Sequence, residues 1–148
     1  MNTHPYLRAY MAGIILPTLI LPVFLIVFIV LRLCLQMPFP IERGLVFPLA
    51  LVPVIWGIWN MLWIGSHLHF HQPIGLHGAV LPLLLLPAGA TVARCLGILV
   101  LGTSGVTWFQ TINVPYALIA PCFLAALAGY YLVWKYLVKF LNEVLGIA

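Results

Sequence analysis

Four of the chain's five histidines lie in one stretch, G-S-H-L-H-F-H-Q-P-I-G-L-H-G, at residues 65–78. Neutral imidazole ligates zinc, copper, nickel and iron, and it is the side chain whose charge changes near neutral pH. His67, His69 and His71 alternate, so an extended strand would point all three one way. On a helix only His67 and His71 would meet, at i and i+4. His77 could fold back through a turn at Pro73–Gly75. The pattern points to a transition-metal or haem site, or to a proton-responsive group. Against a metal, the stretch contains no Lys, Arg, Asp or Glu. No carboxylate or thiolate completes a ligand shell, and only backbone carbonyls or water could orient the rings. The reading these points favour is a wet interfacial loop, with the metal and proton roles as alternatives.

A second cluster lies just upstream in W-G-I-W-N-M-L-W. Trp56, Trp59, Asn60 and Trp63 fall at i, i+3, i+4 and i+7 and share one helical face. With Tyr130 and Trp134, they could form an aromatic pocket with one amide, able to hold a lipid, a quinone or another flat apolar ligand. The alternative is an interfacial aromatic belt, with Asn60 bonding a neighbouring helix for about 1 kcal/mol. The belt suits Trp63, Trp134 and Tyr136. It suits Trp56 less, because Trp56 lies about 10 Å deeper than Trp63 at 1.5 Å per residue.

Catalytic chemistry is hard to assemble from the rest. The only acids are Glu42 and Glu143, so no acidic pair exists for proton transfer. The scattered hydroxyls lack any pattern for activation. Cys34, Cys95 and Cys122 are far apart, form no C-x-x-C motif, and read as small hydrophobes. No carboxylate sits mid-membrane, which weakens an ion-coupled transporter.

The elements that must position these residues emerge from composition. Of 148 residues, 65% are apolar and 5% charged, whereas a soluble domain carries roughly 25% charged residues. Lipid must therefore solvate most of the surface. The net charge of +4 comes from cations scattered beside apolar runs, which is no nucleic-acid footprint. A bilayer core needs about 20 apolar residues per helix, and four runs supply them, at about 10–31, 45–65, 79–101 and 114–134. The first is too long for the core of a signal peptide. The third holds Arg94 roughly 22 Å from its start, deep enough to snorkel to the far interface. The variant reading ends that span near Ala93 and lays C-L-G-I-L-V-L along the surface. Segment 102–113 reads as a loop, with Asn113 starting the last helix. In the first inter-span loop the adjacent Glu42 and Arg43 read as a solvated pair, with Arg32 or Arg94 on the same side as further partners.

The fold expected is an all-α membrane protein of one domain, residues 1–148, with four transmembrane helices in a compact bundle. Every span carries paired prolines, and P-L-A-L-V-P (48–53) resembles P-Y-A-L-I-A-P (115–121). Two helical hairpins, related as a weak parallel repeat, would account for this. The tail 135–148 reads as an amphipathic interfacial extension, with Lys135, Lys139, Asn142 and Glu143 on one face. Lysine and arginine divide three against three between the two sides, so the positive-inside rule leaves orientation open. The tail favours cytoplasmic termini.

The function expected is that of a non-enzymatic, multi-pass membrane protein, a subunit or accessory working through helix–helix contact. Its partners are then the bilayer, copies of itself or other membrane subunits. Gly97, Gly102, Ala125, Ala126 and Gly129 are the small residues that would permit close approach. One alternative is a homo-oligomeric channel or transporter. The other is a protein holding a metal, haem, lipid or quinone at its histidine- and tryptophan-rich face.

Overall fold

The computed structural model describes residues 4–36, 42, 46–70 and 72–147, with backbone only at 47 and 67–70. It is mostly helical, at 78%. Helix α1 spans Pro5–Ile29 and runs on through a π-helical turn, Val30–Cys34. Helix α2 spans Phe47–Phe70 and α3 spans Ile74–Cys95. Helix α4 spans Tyr116–Leu132 and continues without a break through a π-helical turn, Val133–Val138, into α5 at Lys139–Val144. Among the described residues, four helical segments are long and apolar enough to cross a membrane: Pro5–Cys34, Pro48–Ser66, Ile74–Cys95 and Tyr116–Val144. Their leucines, valines and isoleucines are largely exposed, as an exterior bathed in hydrocarbon allows.

The helices pair as two hairpins, α1 with α2 and α3 with α4 and its continuation. Glycine permits the closest approaches. A Cβ on Gly13 would stand 2.6 Å from the Trp56 carbonyl oxygen, and one on Gly57 would stand 2.6 Å from the Tyr10 ring. In the second hairpin a Cβ on Gly75 would meet the Tyr131 ring at 2.8 Å, and one on Gly78 would overlap Trp134. The hairpins join where the chain termini lie, through α1 against α5 and through a core of Trp56, Trp63, Ile74, Leu81, Trp134 and Val138. Toward the opposite face the helices bury little, and Tyr116–Leu132 has no buried residue.

The third span is shorter than 79–101. Helix α3 stops at Cys95 because Gly97 takes the left-handed conformation, φ +70°. The Gly97 N–H then bonds the Arg94 carbonyl at 3.0 Å and the Ile98 N–H bonds the Ala93 carbonyl at 2.9 Å. These are the two bonds of a Schellman stop, which satisfies carbonyls the helix end leaves open. Gly97 is thus a helix terminator rather than a packing glycine.

Between α3 and α4 the chain forms sheet, not loop. Strands β1 (Leu99–Leu101), β2 (Gly105–Trp108) and β3 (Ile112–Pro115) form an antiparallel sheet in that order, pairing Val100 with Thr107 and Trp108 with Ile112. Val100, Val106, Thr107, Ile112 and Val114 are β-branched and suit strands. Phe109 and Gln110, at φ 51° and 60°, turn β2 into β3. Asn113 pairs with Thr107 in β3, so it does not start α4. Pro115, with extended backbone, caps that helix instead.

The C-terminal segment departs from a surface-lying amphipathic tail in one respect. Trp134, Val138 and Asn142 are fully buried, while Lys139 and Glu143 pair at 3.8 Å on the exposed side. In an α-helix each step of four residues drifts about 40°. The wider π turn, closed by the Lys139 N–H on the Trp134 carbonyl, offsets that drift. It carries Asn142 inward, away from Lys135 and Glu143.

Candidate functional site

The side chains that join the hairpins are polar and aromatic. Asn60 on α2 and Asn142 on α5 are both 0% exposed. Asn60 Nδ2 donates to Asn142 Oδ1 at 2.8 Å, and Asn142 Nδ2 returns a bond to Asn60 Oδ1 at 3.2 Å. The second hydrogen of Asn60 Nδ2 reaches the Ala9 carbonyl on α1 at 2.8 Å. One amide pair therefore ties α1, α2 and α5, where no water competes for its bonds. A turn above, Arg8 on α1 donates through Nη1 to the Leu145 carbonyl at 2.8 Å. Gly146, φ +65°, ends α5 there with bonds from its own N–H to the Glu143 carbonyl and from Ile147 to the Asn142 carbonyl. Arg8 thus caps the C-terminus of α5, where the helix dipole favours a cation.

Beside the amides lies the aromatic core. The Trp56 ring sits 5.4 Å from Tyr130 and 5.6 Å from Trp134. Trp59, Asn60 and Trp63 continue along the same face of α2, as the spacing requires. Trp63 and Trp134 are 8% and 0% exposed, so they are core residues rather than members of a headgroup belt. Tyr136, 60% exposed, keeps the belt position. Trp63 donates through Nε1 to the Gln72 carbonyl at 3.3 Å. Trp56 Nε1 and Trp134 Nε1 are buried and have no hydrogen-bond partner among the described residues.

His77 lies in the first turns of α3, not in a loop. Its Nε2 sits 3.0 Å from the Trp59 carbonyl oxygen. A carbonyl only accepts, so Nε2 carries the proton and Nδ1 is the free position of the neutral ring. Trp59 returns the bond through Nε1 to the His77 carbonyl at 2.9 Å, and the two rings stack with centroids 4.6 Å apart. His77 is therefore placed as a helix-to-helix fastener. His67 and His69 lie on the last turns of α2, which extends to Phe70. The His67 and His69 side chains, and His71 as a whole, lie outside the described residues. Among the described residues no three His, Cys, Asp or Glu side chains gather as a metal site.

Trp59 and His77 also line an open cleft of about 760 Å³ with Tyr6, Ser66, Gln72 and Val80. It is bounded by the start of α1, the second half of α2 and the start of α3. Its volume falls in the range of small-molecule sites, about 300–1,000 Å³. Trp59 Nε1 and His77 Nε2 are engaged as above, and Ser66 Oγ donates to the Trp63 carbonyl at 3.1 Å. The cleft therefore offers mainly shape and aromatic surface.

Sequence reasoning brought Trp56, Trp59, Asn60 and Trp63 together and associated Tyr130 and Trp134 with them. It missed Arg8, Ala9 and the inward turn of Asn142, and the close approaches within the chain fall at Gly13, Gly57, Gly75 and Gly78 rather than at the small residues of α4. Gly129 has nothing within 4 Å, and Ala125 and Ala126 are exposed. A stronger signal was present. G-I-I-L-P-T-L-I-L-P (13–22) and G-A-V-L-P-L-L-L-L-P (78–87) share the frame G-x-x-L-P-x-L-x-L-P. Each glycine is where its helix meets a tryptophan-bearing neighbour, Trp56 for Gly13 and Trp134 for Gly78. The first proline of each frame, Pro17 or Pro82, lacks the N–H that would bond the glycine carbonyl four residues back.

No family model, no curated protein and no solved structure matches the chain.

Proposed function

We propose that this small polytopic membrane protein acts without catalysis, as a subunit or accessory of a larger membrane assembly, through the outer face of α4. The observation that carries this reading is that Tyr116–Leu132 buries no residue within the chain, although Ala125 and Gly129 make a small-xxx-small pair on it. In lipid such pairs favour helix association, because backbones approach closely and gain van der Waals contact. The reading places both termini in the cytoplasm. Cross-linking in native membranes, followed by mild-detergent purification, tests it. Wild type is expected to run as a complex with itself or a second membrane protein. Gly129→Leu should release a folded monomer. A monodisperse wild-type monomer with nothing co-purifying contradicts the proposal.

The cleft lined by Trp59 and His77 favours a second reading, in which a flat amphiphile such as a quinone or lipid lies against the stacked pair. Metal or haem binding by His67, His69, His71 and His77 belongs to the same reading. Visible absorption and metal content of the purified protein test it, and a colourless, metal-free sample that quenches no tryptophan fluorescence on quinone addition rejects it.

A further inference from the structure

Three hydrogens around the cleft of Trp59 and His77 are already spent. Trp59 Nε1 donates to the His77 carbonyl at 2.9 Å, His77 Nε2 to the Trp59 carbonyl at 3.0 Å, and Ser66 Oγ to the Trp63 carbonyl at 3.1 Å. What the histidine and the serine keep are lone pairs. On the neutral ring Nδ1 only accepts, and the Ser66 oxygen retains acceptor capacity. His77 Nδ1 has no hydrogen-bond partner among the described residues. The His77 residue is 8% exposed, stacked on Trp59 and met at an angle by Trp134, with centroids 5.9 Å apart. It borders the cleft. A buried acceptor left without a donor is costly, and a donor arriving through the cleft would relieve that cost.

The walls suit a ring with a tail. Helix α2 contributes Trp59, Leu62 and Ser66, three and four residues apart on one face. Helix α3 contributes His77 and Val80. Trp59 to Ser66 covers about 10 Å at 1.5 Å per residue, room for one substituted ring. Tyr6 on α1 stands over Gly65, where a Cβ would lie 3.9 Å from the tyrosine Cε1 and 4.0 Å from its hydroxyl oxygen. Leu62 and Val80 are exposed, so an alkyl tail can leave the cleft sideways into hydrocarbon.

We propose that this cleft holds an amphiphile with a hydroxyl on an aromatic ring, such as an alkylphenol or the reduced, quinol form of a quinone, and that the hydroxyl donates to His77 Nδ1. An oxidised quinone presents only carbonyl oxygens, which cannot bond an acceptor nitrogen, so the cleft selects the hydroxyl-bearing ring. That ring packs against the indole of Trp59. The inference deepens the second reading above and rests on the cleft being a ligand site. It involves binding only and no electron transfer.

Nonylphenol and its methyl ether share ring and tail and differ in the donor. Native mass spectrometry of the detergent-purified full chain titrated with each, together with nitrogen NMR of the histidine rings, tests the proposal. Wild type is expected to bind one nonylphenol saturably and to prefer it to the ether about three- to tenfold, the worth of one hydrogen bond. The His77 Nδ1 resonance should shift with the phenol and not with the ether. His77→Phe keeps an aromatic ring on Trp59 but removes the acceptor, and the two ligands should then bind equally. Val80→Trp fills the cleft from an exposed position and should weaken both ligands alike. Equal affinity of wild type for the two ligands, a preference that survives in His77→Phe, or an Nδ1 resonance indifferent to the phenol overturns the proposal and leaves the cleft reading standing. Failure of wild type to bind either ligand, or undiminished binding by Val80→Trp, removes the cleft reading and the proposal with it. Circular dichroism checks the fold of each variant, and the wild-type resonance decides if His77→Phe does not fold.

Discussion

The Asn60–Asn142 pair gives the sharpest energetic test of how the hairpins are joined. Asn60→Leu keeps roughly the same volume but removes all three bonds of the amide cluster, those at 2.8, 2.8 and 3.2 Å. It leaves Asn142, 0% exposed, with a carbonyl oxygen and an amide that have lost their partner. A buried polar group stripped of its partner costs ~1–3 kcal/mol, so the single variant should lose about 2–3 kcal/mol. Asn142→Leu strands Asn60 Oδ1 but leaves Nδ2 its bond to the Ala9 carbonyl, so it should cost less, about 1–2 kcal/mol. The double variant has no stranded amide, so it escapes part of the penalty carried by each single. It should cost about 2–3 kcal/mol against a sum of roughly 3–5 kcal/mol for the singles, a coupling of about 1–2 kcal/mol, at the upper end of transmembrane double-mutant cycles. Reversible unfolding in mixed micelles, monitored by near-ultraviolet circular dichroism of the adjacent tryptophans, reads all four proteins. Additivity to within ~0.3 kcal/mol would refute the reasoning, because two amides that do not interact cannot be what seats α5 against α1 and α2.

Other substitutions probe the rest of the joint. Gly78→Ala should cost ~1–3 kcal/mol by overpacking against Trp134, whereas Gly129→Ala, facing open space, should leave monomer stability unchanged or raise it by up to ~1 kcal/mol; the same unfolding assay compares them. Trp134→Phe should be tolerated far better than Trp134→Ala, at ~3–5 kcal/mol, because the lost indole N–H has no partner. Trp59→Phe, by contrast, removes the indole bond to the His77 carbonyl and should cost ~0.5–1.5 kcal/mol. Arg8→Met removes the cap on α5 and should increase amide hydrogen exchange at residues 142–147 without altering α3.

Lipid-facing runs are long and nearly free of charge, so the four helices could be read directly from composition. The face shared by Trp56, Trp59, Asn60 and Trp63 was equally legible, because α2 is regular from Pro53 onward and a 3.6-residue period holds along it. Failures came where the backbone departs from that period. The π turn at Val133–Val138 rotates Asn142 by enough to turn an apparent surface amide into a buried partner for Asn60. The stop at Gly97 depends on a left-handed residue that hydropathy does not register, and the apolar strand Leu99–Leu101 resembles helix in composition. His77 misled for a different reason. It sits within a histidine-rich stretch by position, yet the fold assigns it to α3, stacked on Trp59.

Membrane threading is the claim on which the rest depends, and site-directed labelling measures it directly. Cys34, Cys95 and Cys122 would be replaced by serine and single cysteines introduced at residues 38, 73 and 103. Intact cells or oriented vesicles would then be treated with a membrane-impermeant maleimide. Residues 38 and 103 should react from one side and residue 73 only from the other, together with a cysteine placed before Pro5. Labelling of residue 73 from the same side as 38 and 103 would contradict the four crossings.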